Sequence, residues 1–287
     1  MENITPDPTR NASSDSETSK VLEWHKQDPE QRMGFRGGRY TAPNKTLAMI
    51  GAVVITAVVF ALLVYALKAQ GLLSQVTAIM LERGPTQYIA TGFFFWVLVM
   101  LWTKLRKLDF QQKAFQLPIM PANPSFALSP ETARHVLDRL HEMVDSPSHF
   151  AVLNRVERAL SNMDNIGHTT DVTAILEVQA ANDESQVAAS YGMIQALVWA
   201  IPVLGFIGTV LGLGKAIGAF GVTLQQEGNF EGIKDSLTAV TGGLATAFDT
   251  TLLALVLALI LQLLVSYVQS RESEWLDSCN EYCSKKI

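Results

Sequence analysis

Four stretches of this 287-residue chain, 46–67, 84–103, 185–214 and 250–270, contain no Asp, Glu, Lys or Arg. At about 1.5 Å of rise per residue, each is long enough as a helix to cross a hydrocarbon core of roughly 30 Å. The low share of charged residues, 17% against about 25% in soluble domains, therefore reflects charge confined to separate blocks rather than thinned evenly. This pattern excludes a soluble single-domain enzyme. It predicts an all-α, polytopic membrane protein with four transmembrane helices, two short and two long, the long pair extending into a small helical cytoplasmic domain. A formal charge of −5 and no basic run beyond Lys104–Lys107 leave no electrostatic footprint for nucleic acid.

The chain divides by composition. Residues 1–45 form a polar leader expected to be cytoplasmic and largely disordered, too polar to bury a core. Residues 46–103 hold the first two spans, joined by a short polar connection around Glu82, Arg83, Gly84 and Pro85. Residues 104–189 read as a helical domain after a break at Pro118, Pro121 and Pro124. There, Ser129-Pro130-Glu131 opens one amphipathic helix and Ser146-Pro147-Ser148 separates it from the next. Residues 190–270 form a hairpin of two helices longer than a bilayer needs, and 271–287 a cytoplasmic tail. Arg32, Arg36, Arg39 and Lys45 before the first span, and Lys104, Arg106 and Lys107 after the second, put both termini and the domain on the cytoplasmic side. Cys279 and Cys283 are too few for a disulfide framework and have no neighbouring ligands for a metal.

The glycine-rich run IPVLGFIGTVLGLGKAIGAF, residues 201–220, fails both nucleotide-binding patterns. A phosphate loop counted back from Lys215 would begin at Thr209 instead of Gly and end at Ala216 instead of Ser or Thr. Gly212, Gly214 and Gly218 have the wrong spacing for a dinucleotide fingerprint. No nucleotide, cofactor, metal or catalytic constellation is expected. The same glycines fit close helix packing, with Gly208/Gly212 and Gly214/Gly218 as small-xxx-small pairs and Gly205, Gly208, Gly212, Lys215 and Ala219 on one face. The fourth span carries a matching stripe of Thr238, Thr241, Gly242, Ala245 and Asp249, flanked by Thr246 and Thr250. Taken singly, each threonine reads as a helix-bonded hydroxyl. Ionisable Lys215 and Asp249 tip the balance toward a water-accessible path. With the hairpin apex near Gln225, Thr209 faces Thr241 as a polar constriction, Lys215 pairs with Asp235 at the outer mouth, and Asp249 marks the cytoplasmic exit.

These residues resemble the MotA/TolQ/ExbB family of proton-channel subunits. The third span's P-x-L-G-x-x-G-T-V-x-G-L stands as Pro202, Leu204, Gly205, Gly208, Thr209, Val210, Gly212 and Leu213. The fourth span's pattern stands as Gly232, Ile233, Leu237, Gly243 and Leu244. The resemblance covers roughly residues 186–270. It implies a homopentamer around a dimer of a single-span MotB/TolR/ExbD-like partner in the bacterial inner membrane, working as an ion-driven motor subunit. It also implies that Thr209 is the third-span pore threonine. The fourth-span threonine falls on Val240, beside Thr241, and Asp249 replaces a proline. The ion-pathway residues are thus Thr209, Thr241, Thr246 and Asp249, and the helix-packing motif is Pro202, Gly205, Gly208, Gly212 and Gly243. A secondary permease and a non-conducting scaffold are the alternatives.

Overall fold

The computed structural model describes residues 21–28, 30–35, 37–67, 84–119, 129–166, 169–224 and 230–286. Among these the chain is helical without strands, save one isolated bridge between Leu22 and Val144. Four helices are long and apolar enough to cross a membrane, which makes this an all-α polytopic membrane protein.

Helix α1 spans Lys45–Leu67 and α2 spans Pro85–Gln112. The Asn44 side-chain oxygen starts α1 by accepting from the Thr46 amide at 3.1 Å and its hydroxyl at 2.7 Å, satisfying donors that a helix leaves open. The outward side chains of α1, such as Val53, Val54, Val58 and Leu62, are exposed valines and leucines, as befits a lipid-facing helix. It runs antiparallel to α2, with Gly51 close to Val99 and Phe60 against Tyr88, ring centroids 4.7 Å apart. Helix α2 begins after Gly84 (φ +118°) with Pro85 in its first turn, where a missing N–H costs nothing.

The helical domain uses α3 (Pro130–Met143), α4 (Ala151–Ile166) and α5 (Thr169–Ser190). The helix expected to open at Ser129-Pro130-Glu131 does so, closed by a capping box in which Thr132 is the reciprocal partner of Ser129. Helix α6, Gly192–Leu224, carries Pro202 in its interior, and α7 runs unbroken from Phe230 to Lys286. The predicted tail from 271 is therefore a continuation of α7, and its Trp275, Leu276, Cys279 and Cys283 are buried among the domain helices.

Part of the predicted disordered leader is folded. Residues 1–20 lie outside the described residues, but Trp24 is fully buried, stacked on His149 at 4.8 Å and edge-on to Phe150. The Leu22 amide and carbonyl bond to Met143 and Asp145. Two large aromatics, Trp24 and Tyr40, bury enough surface to hold a segment that is otherwise polar.

The hairpin register comes from small residues. A Cβ built on Gly205 would lie 2.6 Å from Ala254 Cβ, one on Gly208 2.9 Å from Thr250, one on Gly212 3.0 Å from the Gly243 carbonyl, and one on Gly243 2.6 Å from Ala216 Cβ. Backbones this close exclude any side chain. Gly214 and Gly218 face open space instead, and the packed face continues through Ala216, leaving Lys215 exposed. Substituting Gly205→Ala is expected to cost about 1–3 kcal/mol by overpacking. Adding Ala254→Gly should recover most of that loss in thermal unfolding of the detergent-solubilised protein.

Candidate ion path in the membrane hairpin

The closest approach of α6 and α7 gathers hydroxyls. Thr209 Oγ1 lies 3.2 Å from the carbonyl oxygens of both Gly205 and Ala247 and touches Thr251 Oγ1. Thr251 donates to Ala247 O at 3.0 Å, and Thr250 donates to the same carbonyl at 2.9 Å. A hydroxyl has one proton and two lone pairs, so three hydroxyls around one carbonyl keep unused accepting capacity. Such oxygens can pass a proton along or replace water around a small cation.

This register corrects the expected pairing of Thr209 with Thr241. Helix α6 ends at Leu224 and α7 begins at Phe230, beyond the assumed apex. Packing of the glycine and alanine faces then brings Thr251, ten residues further along α7, to Thr209. Thr241 is exposed and donates to the carbonyls of Leu237 and Thr238, and Thr246 donates to Gly242 at 2.9 Å, bonds back to the preceding turn of the helix. Thr238, Thr241 and Ala245 form an exposed stripe on α7, with Asp249 half-buried at its end. Lys215 is exposed, whereas the side chain of Asp235 lies outside the described residues, so their pairing is not described. Pro202 is half-buried, and Gly205, Gly208, Gly212 and Gly243 all lie in the helix contact.

Lys104 and Lys107 belong to the basic cluster expected to end the second span. The structure buries both completely. Lys104 Nζ donates to the two carboxylate oxygens of Glu272 at 2.9 and 3.0 Å and sits 4.1 Å from the centre of the Tyr191 ring. Lys107 Nζ donates to Glu30 at 2.6 Å and to the Ala42 carbonyl at 2.9 Å. Farther from the membrane, Arg155 Nε donates to Asp183 at 2.6 Å, and its Nη1 binds Asn280 of α7. Burial raises the Asp28 carboxyl despite nearby Lys107. Burial and the neighbouring Asp183 charge push the Tyr40 hydroxyl well above its ordinary value. The missed signal was spacing. Val97, Leu101, Lys104 and Leu108 recur every three or four residues, so the apolar stripe of α2 runs straight through Lys104.

Fold and site together define a polytopic helical membrane protein whose last two spans close on a hydroxyl cluster. Residues 147–280 match the sequence model of the MotA/TolQ/ExbB proton channel family. A protein of Methanothermobacter thermautotrophicus, named as a candidate biopolymer transport protein and ExbB homologue, is 28% identical over 126 residues. That alignment covers 43% of this chain, which spans only 41% of the length of that relative. No solved structure matches the chain.

Removing one partner of the Lys104–Glu272 pair strands a buried charge. Glu272→Gln is therefore expected to destabilise the protein by about 3–5 kcal/mol. The double replacement Lys104→Met with Glu272→Leu should restore stability to near the parent value or above it, as read by unfolding in detergent.

Proposed function

We propose that the chain is the pore-forming subunit of an ion-driven motor in the bacterial inner membrane. Five copies surround a dimer of a single-span MotB/TolR/ExbD-like partner, with both termini cytoplasmic, and the assembly converts the flow of protons or sodium ions into mechanical work. The observation that carries this reading is the coincidence of the family match with the hairpin. Residues 147–280 include the tightest α6–α7 contact, and that contact holds Thr209, Thr250 and Thr251. The family is one of proton channels and not of enzymes, which supports a non-enzymatic role.

Two surfaces then take different parts. The Thr209–Thr251 pair lies inside each subunit and fixes the hydroxyl oxygens. The exposed stripe of Thr238 and Thr241, with Thr246 and Asp249 beside it, faces out of the single chain, where it lines the space between copies and the partner. Lys215 and Asp235 mark the mouth on the side away from the helical domain.

Native mass spectrometry of the chain co-purified with a single-span partner is expected to give five copies to two. A monomer or dimer without such a partner would sink the motor reading in favour of a permease or scaffold. In proteoliposomes, Thr209→Val and Thr251→Val each remove a half-buried hydroxyl that makes two or more contacts within hydrogen-bond distance in the cluster, about 1–3 kcal/mol in total at roughly 1 kcal/mol per bond. Where the barrier carries that loss, ion flux falls about 5- to 150-fold, and Thr→Ser at either position retains most of it.

A further inference from the structure

The folded segment ahead of α1 closes over three ionisable side chains. Asp28 and Lys107 are fully buried, and Glu30 is 1% exposed. Lys107 Nζ has three protons and three close acceptors: Glu30 Oε2 at 2.6 Å, the Ala42 carbonyl at 2.9 Å and the Gly38 carbonyl at 3.3 Å. Glu30 uses both of its oxygens. Oε1 accepts from the Asn44 amide at 2.6 Å, and Oε2 accepts from the Gly38 amide at 3.3 Å as well as from Lys107. Asp28 is left over. Its Oδ2 accepts from the Gln31 amide at 3.1 Å, but its Oδ1 stands 3.9 Å from Lys107 Nζ and has no hydrogen-bond partner. A residue without a side chain seals the cluster, since a Cβ on Gly37 would lie 2.7 Å from Asp28 Oδ2 and 3.3 Å from Lys107 Nζ.

Two carboxyl groups thus share one ammonium. Were all three ionised, one negative charge would stay buried without a counter-ion, the arrangement that burial tolerates least. Lys107 is spent on Glu30 and two carbonyls, so the surplus falls on Asp28. Burial accordingly raises the Asp28 carboxyl above the ordinary aspartate range, against the opposing pull of Lys107. Among the described residues, the charges acting on Asp28 are Lys107, from α2, and Glu30, from its own segment. Elsewhere on that segment Arg32 is exposed, Arg39 lies over the Tyr40 ring and Lys26 pairs with Glu23. Arg106 and Asp109 of α2 and Lys45 of α1 are exposed. Toward the domain stands Trp24, whose amide donates to Asp145 at 2.8 Å and whose ring stacks on His149.

We propose that residues 21–44 form a pH-responsive latch, docked while Asp28 carries a proton and released when that proton is given up to water. Docking joins three parts of the chain. Leu22 bridges to Val144 at the end of α3, Glu30 holds Lys107 of α2, and the Asn44 amide bound by Glu30 leads directly into α1. Release therefore frees the start of α1 from α2 and from the domain together. A free aspartate ionises near pH 4, so docking is strongest below that. Above it the docked-to-released ratio falls by up to about tenfold per pH unit, because release gives up one proton, and the fall ends once the docked carboxyl itself ionises. The latch answers to pH on the side of the membrane that carries the helical domain, whether or not the chain conducts ions.

Spin labels at two exposed positions, Lys26→Cys on the latch and Glu142→Cys at the end of α3, report docked and released populations by double electron–electron resonance. The full chain is used in detergent, where the native Cys279 and Cys283 are buried. From about pH 5 to about pH 9 the docked-to-released ratio of the parent is expected to fall about tenfold or more. Asp28→Asn keeps the acceptor for the Gln31 amide and cannot ionise, so it is expected to stay docked throughout and to unfold at about pH 8 no more easily than the parent. Any contribution from the histidines is common to both proteins, and the difference between them belongs to Asp28. A parent segment that stays docked across the whole range overturns the latch, as does one that opens equally in Asp28→Asn. An Asp28→Asn protein that is open at every pH, or less stable than the parent at about pH 8, overturns it too, because the carboxylate would then be the group that holds the segment.

Discussion

Two helix backbones touch along α6 and α7, and most of the membrane part follows from that contact. In lipid there is no hydrophobic drive to bring helices together, so attraction rests on close van der Waals contact and on polar groups that find each other. Gly205, Gly208, Gly212 and Gly243 supply the closeness, each at a point where a methyl group would meet Ala254, Thr250, the partner backbone or Ala216 within about 3 Å. Once the backbones lie that near, the threonines between them have nowhere else to turn. Thr209 and Thr251 meet because the glycines place them there, and α2 lies against the same narrow ridge through Thr86.

The other organising feature is a set of buried charges at the junction between the membrane helices and the helical domain. Lys104 of α2 is held by Glu272 of α7, Lys107 by Glu30 of the N-terminal segment, and Arg155 of α4 by Asp183 of α5 and Asn280 of α7. Ion pairs in such surroundings add little net stability over apolar packing, yet they punish misassembly severely, because any wrong pairing strands a charge. They tie five separate parts of the chain to one arrangement. The aromatic cluster of Trp24, Phe110, His149 and Phe150 packs beside Lys107 and completes that lock.

Much of this fold was legible from charge-free blocks alone, because a bilayer imposes a length and a polarity that the sequence cannot disguise. The four spans, the helix start at Ser129-Pro130-Glu131 and the two amphipathic helices of the domain all follow from local pattern. The glycine motif was legible as helix packing, but only partly in detail, since Gly214 and Gly218 share the spacing and face outward. The partner of Thr209 was not legible. Counting from an assumed apex gives Thr241, whereas the register is a property of two surfaces meeting, which no single helix encodes. Lys104 and Lys107 misled for a related reason: position relative to a membrane suggests solvent, and only the long-range partners Glu272 and Glu30 reveal burial. The folded residues 21–44 were hidden because a few aromatics outweigh a polar composition.

Helix α7 has 57 residues, about 86 Å of continuous helix at 1.5 Å per residue, without a proline. It is a single rod reaching from the hairpin turn, past Thr251, to Asn280 deep in the domain. A rod of this kind does not dissipate movement between its ends; it passes rotation and axial shift along its length. The paired glycines Gly242 and Gly243 are its softest point, and they lie on the hairpin side of Thr251. The stretch between the hydroxyl cluster and the domain is therefore the stiff arm of a lever, and a displacement of Thr251 reaches Arg155 through Asn280 without an intervening joint.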